Sequence, residues 1–239
     1  MAVRLERLVM KAMGSKQTTL RVLAAEAVTP GFRRVHVNCG PLLAEEGIHP
    51  TMWLRLWFDD GGRPHQRAFT LVDPDPASGN AWLEFALHEG IASDWARAAA
   101  PGQTIEASLL GSRYDWDGEG PAEGTPWERT LVVGDMAALP AINSLLDHLG
   151  DAPADIVLEQ AREDDADVPV RLRPSHSLVR CSPGGPRVEE EVARLVRPQG
   201  QRVWVALEAA RTRALVKALR HEHGVPKTAV SALGYWKGA

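Results

Sequence analysis

The sequence lacks several features that mark specialised protein classes. Its 239 residues include two cysteines, Cys39 and Cys181, which are too few and too far apart for a disulfide framework or a metal site. We therefore predict no structural metal and a reduced, cytoplasmic setting. No apolar run approaches the roughly 20 residues that span a bilayer, so we expect no membrane insertion. The net charge of −4 argues against general nucleic-acid binding. The Gly-x-Gly-x-x-Gly fingerprint of dinucleotide-binding proteins is also absent.

The first half of the chain has the periodicity of β-strands. Residues 1–17 carry apolar side chains at helical spacing and predict a short amphipathic helix. Residues 18–122 contain six or so short strands and one helix, from about residue 91 to residue 100. This pattern favours a small antiparallel barrel. Residues 115–128 are acidic and rich in Gly and Pro, which is typical of a linker, and we place the domain boundary between residues 122 and 123.

In residues 123–239, apolar strands alternate with helices. One predicted helix presents an apolar face with Leu139, Ile142, Leu145, Leu146 and Leu149. Such an alternation predicts a parallel sheet that is covered on both faces. Ligands of these sheets bind at the carboxyl ends of strands, near helix N-termini. The strand ends at Gly134–Asp135 and Leu207–Glu208 are therefore candidate ligand contacts.

The stretch from Arg67 to Trp95 is unusually rich in groups that bind cofactors. It contains a fixed cation, hydroxyl donors, an imidazole and aromatic rings, which are the groups that a flat phosphorylated cofactor needs. Composition alone favours a simpler interpretation, in which two strands are joined by a turn and Arg67 forms a salt bridge.

Five segments, in order, resemble one family. They are RAFT at 67–70, FALHEGIASDWARAAAPGQTIEASLLG at 85–111, VVGDMAALPAI at 132–142, VWVALEAA at 203–210 and GYWKG at 234–238. RAFT resembles an Arg-x-Tyr-Thr flavin motif. The sequence is similar to the siderophore-interacting proteins, FAD-dependent ferric-siderophore reductases of the ferredoxin–NADP⁺ reductase superfamily. The resemblance implies an antiparallel β-barrel FAD domain followed by an α/β, Rossmann-like nucleotide-binding domain.

The resemblance also implies residue roles. The implied FAD contacts are Arg67, Ala68, Phe69, Thr70, His88, Ala92, Ser93 and Trp236. The implied nicotinamide nucleotide contacts are Gly134, Asp135, Leu139, Pro140 and Glu208. Lys237, Arg55 and Lys227 are candidates for steering an anionic ferric chelate. Arg211 and Arg213 either take a 2′-phosphate or form a solvated basic face.

The implied activity is electron transfer from NAD(P)H, or from another donor such as a ferredoxin, through FAD to a ferric siderophore or other Fe(III) chelate, with release of Fe(II). The chemistry would centre on the flavin, without a catalytic acid–base residue. The sequence departs from the family pattern at Phe69, Val72, Met136 and Leu207. Two alternatives therefore stay open: a flavin reductase with a different acceptor or partner, and a non-catalytic relative that binds a ligand.

Overall fold

A computed structural model describes residues 15–114 and 126–238, which belong to two compact units, Met1–Tyr114 and Asp115–Ala239. The predicted N-terminal helix falls mainly on residues 1–14, and the predicted boundary falls within residues 115–125. Both lie outside the described residues. No helix in the described ranges is long and apolar enough to cross a membrane.

The first unit is a closed antiparallel barrel with the strand order β1-β2-β5-β4-β3-β6. The strands are β1 Lys16–Thr29, β2 Phe32–Asn38, β3 Trp53–Asp60, β4 Arg63–Asp75, β5 Asn80–Ala86 and β6 Thr104–Leu109. Period-two alternation buries one side of β2, β3 and β5, including Val35, Leu54 and Leu83. The predicted barrel is confirmed.

Two short helices accompany the barrel, α1 at Leu42–Glu46 and α2 at Ile91–Ala98. The sequence did not predict α1, and it predicted that α2 would continue to residue 100. Instead, Ala99 is extended, with ψ of 128°. Pro101 disfavours helical geometry in Ala100, the residue before it, so the helix does not reach residue 100.

The second unit contains a five-stranded parallel sheet with the order β11-β10-β7-β8-β9. The strands are β7 Arg129–Asp135, β8 Ala154–Glu159, β9 His176–Cys181, β10 Gln201–Ala206 and β11 Val230–Ala232. The helices are α3 Leu139–Leu149, α4 Val188–Leu195 and α5 Ala209–His221, with 3₁₀ helices at Glu163–Asp167 and Lys227–Ala229. The predicted α/β architecture is confirmed.

Helix α3 shows how sequence pattern produces this packing. All five residues of its predicted apolar face are buried. Pro140 lies in the first turn, where a missing N–H costs nothing, and Gly150 follows the helix with φ of 54°. The helix begins just beyond the end of β7. In the neighbouring strand β10, Ala206 pairs with Gly134, so the carboxyl ends of the two central strands lie side by side.

Candidate functional site

Strand β4 carries the RAFT segment, whose four residues differ in solvent exposure. Arg67 and Ala68 are exposed, Phe69 is half-buried and Thr70 is buried. The Arg67 Nη1 donates to the carbonyl oxygen of Gln66 at 2.8 Å. An exposed guanidinium with this one contact to the preceding carbonyl retains further donors for a phosphate oxygen.

Helix α2 begins with an anion-binding geometry. Gly90 precedes the helix with φ of 133° and ψ of 162°, and no side chain caps the first turn. Ala92 and Ser93 lie in that turn and are buried. The N–H groups of a first turn lack acceptors within the helix and attract anions. The Ser93 Oγ accepts from the backbone N–H of His88 at 3.1 Å, which ties two predicted FAD contacts together.

His88 is exposed, and its ring is oriented by the backbone. Its Nδ1 lies 2.5 Å from the carbonyl oxygen of Glu89. That contact requires Nδ1 to carry the proton, so Nε2 is the acceptor in the neutral ring. The backbone oxygen of His88 accepts from Arg97 at 3.2 Å, and Arg97 also pairs with Asp94 at 2.9 Å.

Phe69 belongs to an aromatic cluster that joins β3, β4, β5 and α2. Its ring centroid is 4.4 Å from that of Phe85 and 6.1 Å from that of Phe58. Trp95 packs against the same two phenylalanines, at 5.7 Å and 6.0 Å. The cluster fixes the ring of Phe69 while leaving it half-buried.

These features fit FAD. An exposed cation on Arg67 and an uncapped helix start at Ala92 and Ser93 suit a pyrophosphate. The half-buried ring of Phe69 suits contact with a flat ring system. The fit rests on residues of a single unit.

The second set of predicted residues meets at the carboxyl edge of β7 and β10. Gly134 and Asp135 end β7, and Glu208 lies just before α5. A Cβ added at Gly134 would lie 2.9 Å from Ile142 Cδ1 and 3.0 Å from the carbonyl oxygen of Ala206. Packing between sheet and helix thus requires glycine at position 134.

Asp135 is buried, and its carboxylate is already satisfied within the chain. Oδ1 accepts from the backbone N–H groups of Ala137 and Ala138 at 3.0 and 3.2 Å, and Oδ2 accepts from Trp236 Nε1 at 2.7 Å. Burial raises the pKa of Asp135 above its ordinary value, although these three hydrogen bonds oppose the change. The carboxylate thus holds two N–H groups of the turn before α3, whereas no side chain caps the first turn of the helix itself.

Glu208 caps the start of α5. It is the N-cap, and its Oε2 accepts from the backbone N–H groups of Ala210 and Arg211 at 2.6 and 2.9 Å. These bonds, led by the one from Arg211, lower the pKa of Glu208 below its ordinary value. At this edge the start of α5 is therefore filled by a carboxylate of the chain itself, and a second carboxylate holds the turn before α3.

Arg211 is held between two carboxylates. Its Nη1 lies 2.5 Å from Glu159 Oε2, at the end of β8, and its Nη2 lies 3.0 Å from Glu189 Oε1, near the start of α4. The hydrogen bond that Arg211 donates to Glu159 is the main reason that the pKa of Arg211 is raised above its ordinary value. Arg213 is exposed. The charge of Arg211 is thus neutralised by Glu159 and Glu189, and of the two arginines considered for a 2′-phosphate only Arg213 is exposed.

Several predicted positions offer only backbone to a ligand. The side chains of Leu139 and Pro140 are buried. The departures Val72, Met136 and Leu207 are buried as well. Leu207 packs in the core beside Val205 and does not project from the strand end.

The three cations proposed for chelate steering lie in different places. Lys237 is exposed and follows Trp236 at the carboxyl edge, where Trp236 pairs with Glu208. Lys227 is exposed and precedes β11, at the opposite end of the sheet. Arg55 lies on β3, with its guanidinium carbon 5.1 Å from the centroid of the Trp53 ring.

Sequence reasoning missed two features of these sites. Gly90 shapes the start of α2, and its position directly before the helix was the available signal. The bond between Asp135 and Trp236 joins residues that are 101 positions apart, and no local pattern announces it.

Comparisons with known proteins agree with this architecture. Residues 44–111 match the model of the siderophore-interacting FAD-binding domain, and residues 127–239 match that of the siderophore-interacting protein. The chain belongs to the siderophore-interacting protein family. Solved structures share its fold: that of the siderophore-interacting protein from Acinetobacter baumannii has a TM-score of 0.77 at 22% identity and covers 94% of this chain and 92% of its own. A ferredoxin NADP⁺ reductase from Neisseria gonorrhoeae with bound FAD and NADP gives 0.70 at 13% identity, over 92% and 99%.

This siderophore-interacting protein also resembles part of larger proteins. It is 32% identical, over 99% of its length, to the mycobactin import ATP-binding/permease protein IrtA of Mycobacterium tuberculosis. The corresponding protein of Mycolicibacterium smegmatis is 33% identical over 99%. The chain spans only 28% of the length of each of these two relatives.

Proposed function

We propose that this protein is an FAD-dependent reductase that passes electrons from NAD(P)H or another donor to a ferric siderophore, which then releases Fe(II). The observation that carries the proposal is the uncapped start of α2, in the same barrel as the exposed Arg67. The match of residues 44–111 to a siderophore-interacting FAD-binding domain supports it.

In this proposal the barrel binds and orients the cofactor. Arg67 and the first-turn N–H groups at Ala92 and Ser93 hold the pyrophosphate, with Thr70 and His88 as further polar contacts. Phe69 lies against the flavin ring, and Ala68 gives a backbone contact. Bound FAD supplies the exchange of electrons between a donor and single-electron acceptors such as Fe(III).

The acceptor in this proposal is an anionic iron chelate. Lys237, Arg55 and Lys227 would attract it through long-range electrostatics, which raise association rates without requiring a tight pocket. Fe(II) leaves because hard oxygen ligands hold the divalent ion more weakly. Because the curated relatives are named for mycobactin import, ferric mycobactin is the first chelate to test.

The electron donor is the least supported part of the proposal. A dinucleotide pyrophosphate normally binds at a helix start beyond a strand end. Here Glu208 already fills the start of α5, and Asp135 holds the two N–H groups of the turn that leads into α3. This observation favours a donor other than NAD(P)H, such as an electron-carrier protein, as the second candidate.

The test begins with the visible spectrum of protein that has been supplemented with FAD and desalted. We expect retained flavin bands, and a loss of FAD affinity of about 10-fold or more in Arg67→Ala, since charge-assisted hydrogen bonds contribute roughly 1.5–3 kcal/mol. Arg21→Ala, which removes another exposed arginine of the barrel, is the matched control. Protein without flavin bands would refute the proposal and support the ligand-binding relative.

Anaerobic reduction then identifies the donor and the acceptor. Bleaching by NADPH or NADH supports a nucleotide donor, whereas bleaching by dithionite alone points to an electron-carrier protein. Ferric mycobactin should reoxidise the bleached flavin and yield Fe(II), trapped by a coloured chelator, whereas iron-free mycobactin should do neither. If ferric chelates fail and an organic acceptor succeeds, the protein is a flavin reductase with another acceptor.

A further inference from the structure

Trp236 is an exposed aromatic residue that is fixed at both its backbone and its side chain. It is 46% exposed, which is unusual for so large an apolar side chain. Its carbonyl oxygen accepts from the N–H of Ala209 at 2.8 Å, and the preceding N–H, of Tyr235, donates to Leu207 at 2.9 Å. A parallel bridge with Glu208 completes this attachment.

The route of the chain before Trp236 is also tightly constrained. A Cβ at Gly234 would lie 2.8 Å from both Cα and Cβ of Ala209. Glycine therefore lets the C-terminal segment pass directly over the start of α5. The segment cannot drift from the sheet without losing these contacts, so the exposure of Trp236 does not result from a loose chain end.

The indole is held by Asp135, which is only 8% exposed. The carboxylate has two oxygens and three N–H partners: Ala137 and Ala138 use Oδ1, and Trp236 uses Oδ2. An asparagine has a single acceptor oxygen, and its NH₂ group would point either at the backbone N–H groups of Ala137 and Ala138 or at the indole N–H of Trp236. Aspartate therefore satisfies the turn before α3 and the indole together, which asparagine cannot do.

We propose that Asp135 is a positioning residue that fixes the Trp236 ring at the carboxyl edge of the sheet, where it stacks on the flat heteroaromatic ring of a redox nucleotide. Ligands of parallel sheets bind at this edge. A rigid aromatic side chain loses little entropy on stacking. The inference rests on the proposed function and gives Asp135 a role that acts through Trp236, in place of direct contact with the nucleotide.

The test follows the indole N–H signals of the full-length protein, labelled with ¹⁵N at tryptophan. The Trp236 signal is identified by its absence from Trp236→Phe. In the native protein it should be protected from solvent exchange, and Asp135→Asn should expose it. The matched control is Asp165→Asn, because Asp165 is also buried and accepts two backbone N–H groups, at 3.0 Å each from Ala161 and Arg162, but binds no tryptophan.

Titrations with FAD and with NAD⁺ then identify the ring. The one that stacks should shift the Trp236 signal, and Asp135→Asn should weaken its binding by about 3- to 10-fold, the range for one aromatic stacking contact. The double variant that combines Asp135→Asn with Trp236→Phe should bind the nucleotide as well as the weaker-binding of the two single variants, because the two residues act as a unit.

Three results would overturn the inference: an unprotected indole N–H in the native protein, no shift with either nucleotide, or equal affinity in Asp135→Asn. Flavin binding and iron reduction that persist under these results would leave the proposed function intact. Conversely, a protein that binds no FAD refutes the proposed function. The role of Asp135 is then still decided by the protection of the Trp236 indole N–H and by the shift of its signal with NAD⁺.

Discussion

Substituting Gly134 by alanine tests whether this glycine serves packing or a ligand. The added methyl group would lie 2.9 Å from Ile142 Cδ1, 3.0 Å from the oxygen of Ala206 and 3.1 Å from Ala138 Cβ. The tip of Ile142 can rotate away, but Ala206 is held in β10 and Ala138 precedes α3. Overpacking of this kind costs about 1–3 kcal/mol. A cost near 2 kcal/mol corresponds to a fall in Tm of roughly 4–8 °C.

Thermal and urea unfolding, followed by circular dichroism, measure this cost. Gly238→Ala is the control, because a Cβ at that position has no neighbour within 4 Å, and its stability should be unchanged. Adding Ile142→Val to Gly134→Ala removes the closest contacting atom. The pair should be more stable than the sum of the single effects predicts.

The packing interpretation fails if Gly134→Ala melts within about 1 °C of the native protein. It also fails if the two substitutions are strictly additive, since the Ile142 contact would then carry no strain. A stable Gly134→Ala variant that binds nucleotide poorly would return Gly134 to the role of a ligand contact.

Three further predictions concern charge and burial. Because its native pKa is raised, Asp135 binds a proton more readily in the folded than in the unfolded chain, so its contribution to stability should fall as pH rises from its ordinary pKa through its native pKa. The free energy of unfolding of the native protein minus that of Asp135→Asn should show this fall, and a difference that does not change with pH would contradict it. Burial raises the pKa of Cys39 to about 12 and that of Cys181 to about 11. A thiol reagent at pH 8 should therefore label neither cysteine in the folded protein and both cysteines in urea. Rapid labelling of the folded protein would contradict this prediction. Arg211→Ala should leave the ratio of NADPH to NADH affinity within about twofold, because Glu159 and Glu189 already neutralise Arg211, and a tenfold change (about 1.4 kcal/mol) would show that it contacts a 2′-phosphate.

Local periodicity predicted the elements well. Alternation along β3 and β5 and the apolar face of α3 follow from the geometry of a single strand or helix, which any segment expresses by itself. The early end of α2 at Ala98 was missed, although Pro101 was visible, because helix boundaries depend on one or two residues. Helix α1 has only five residues, too few to show a period.

The sequence by itself determined the order of strands and helices, hence the barrel and the parallel sheet, and it marked the segments where ligands would bind. Only the tertiary structure decided which polar groups remain available there. Asp135 meets Trp236, and Arg211 meets Glu159, because the sheet order β11-β10-β7-β8-β9 brings distant segments to one edge. A hydrogen bond depends on this three-dimensional adjacency, whereas a periodic pattern depends only on the geometry of neighbouring residues.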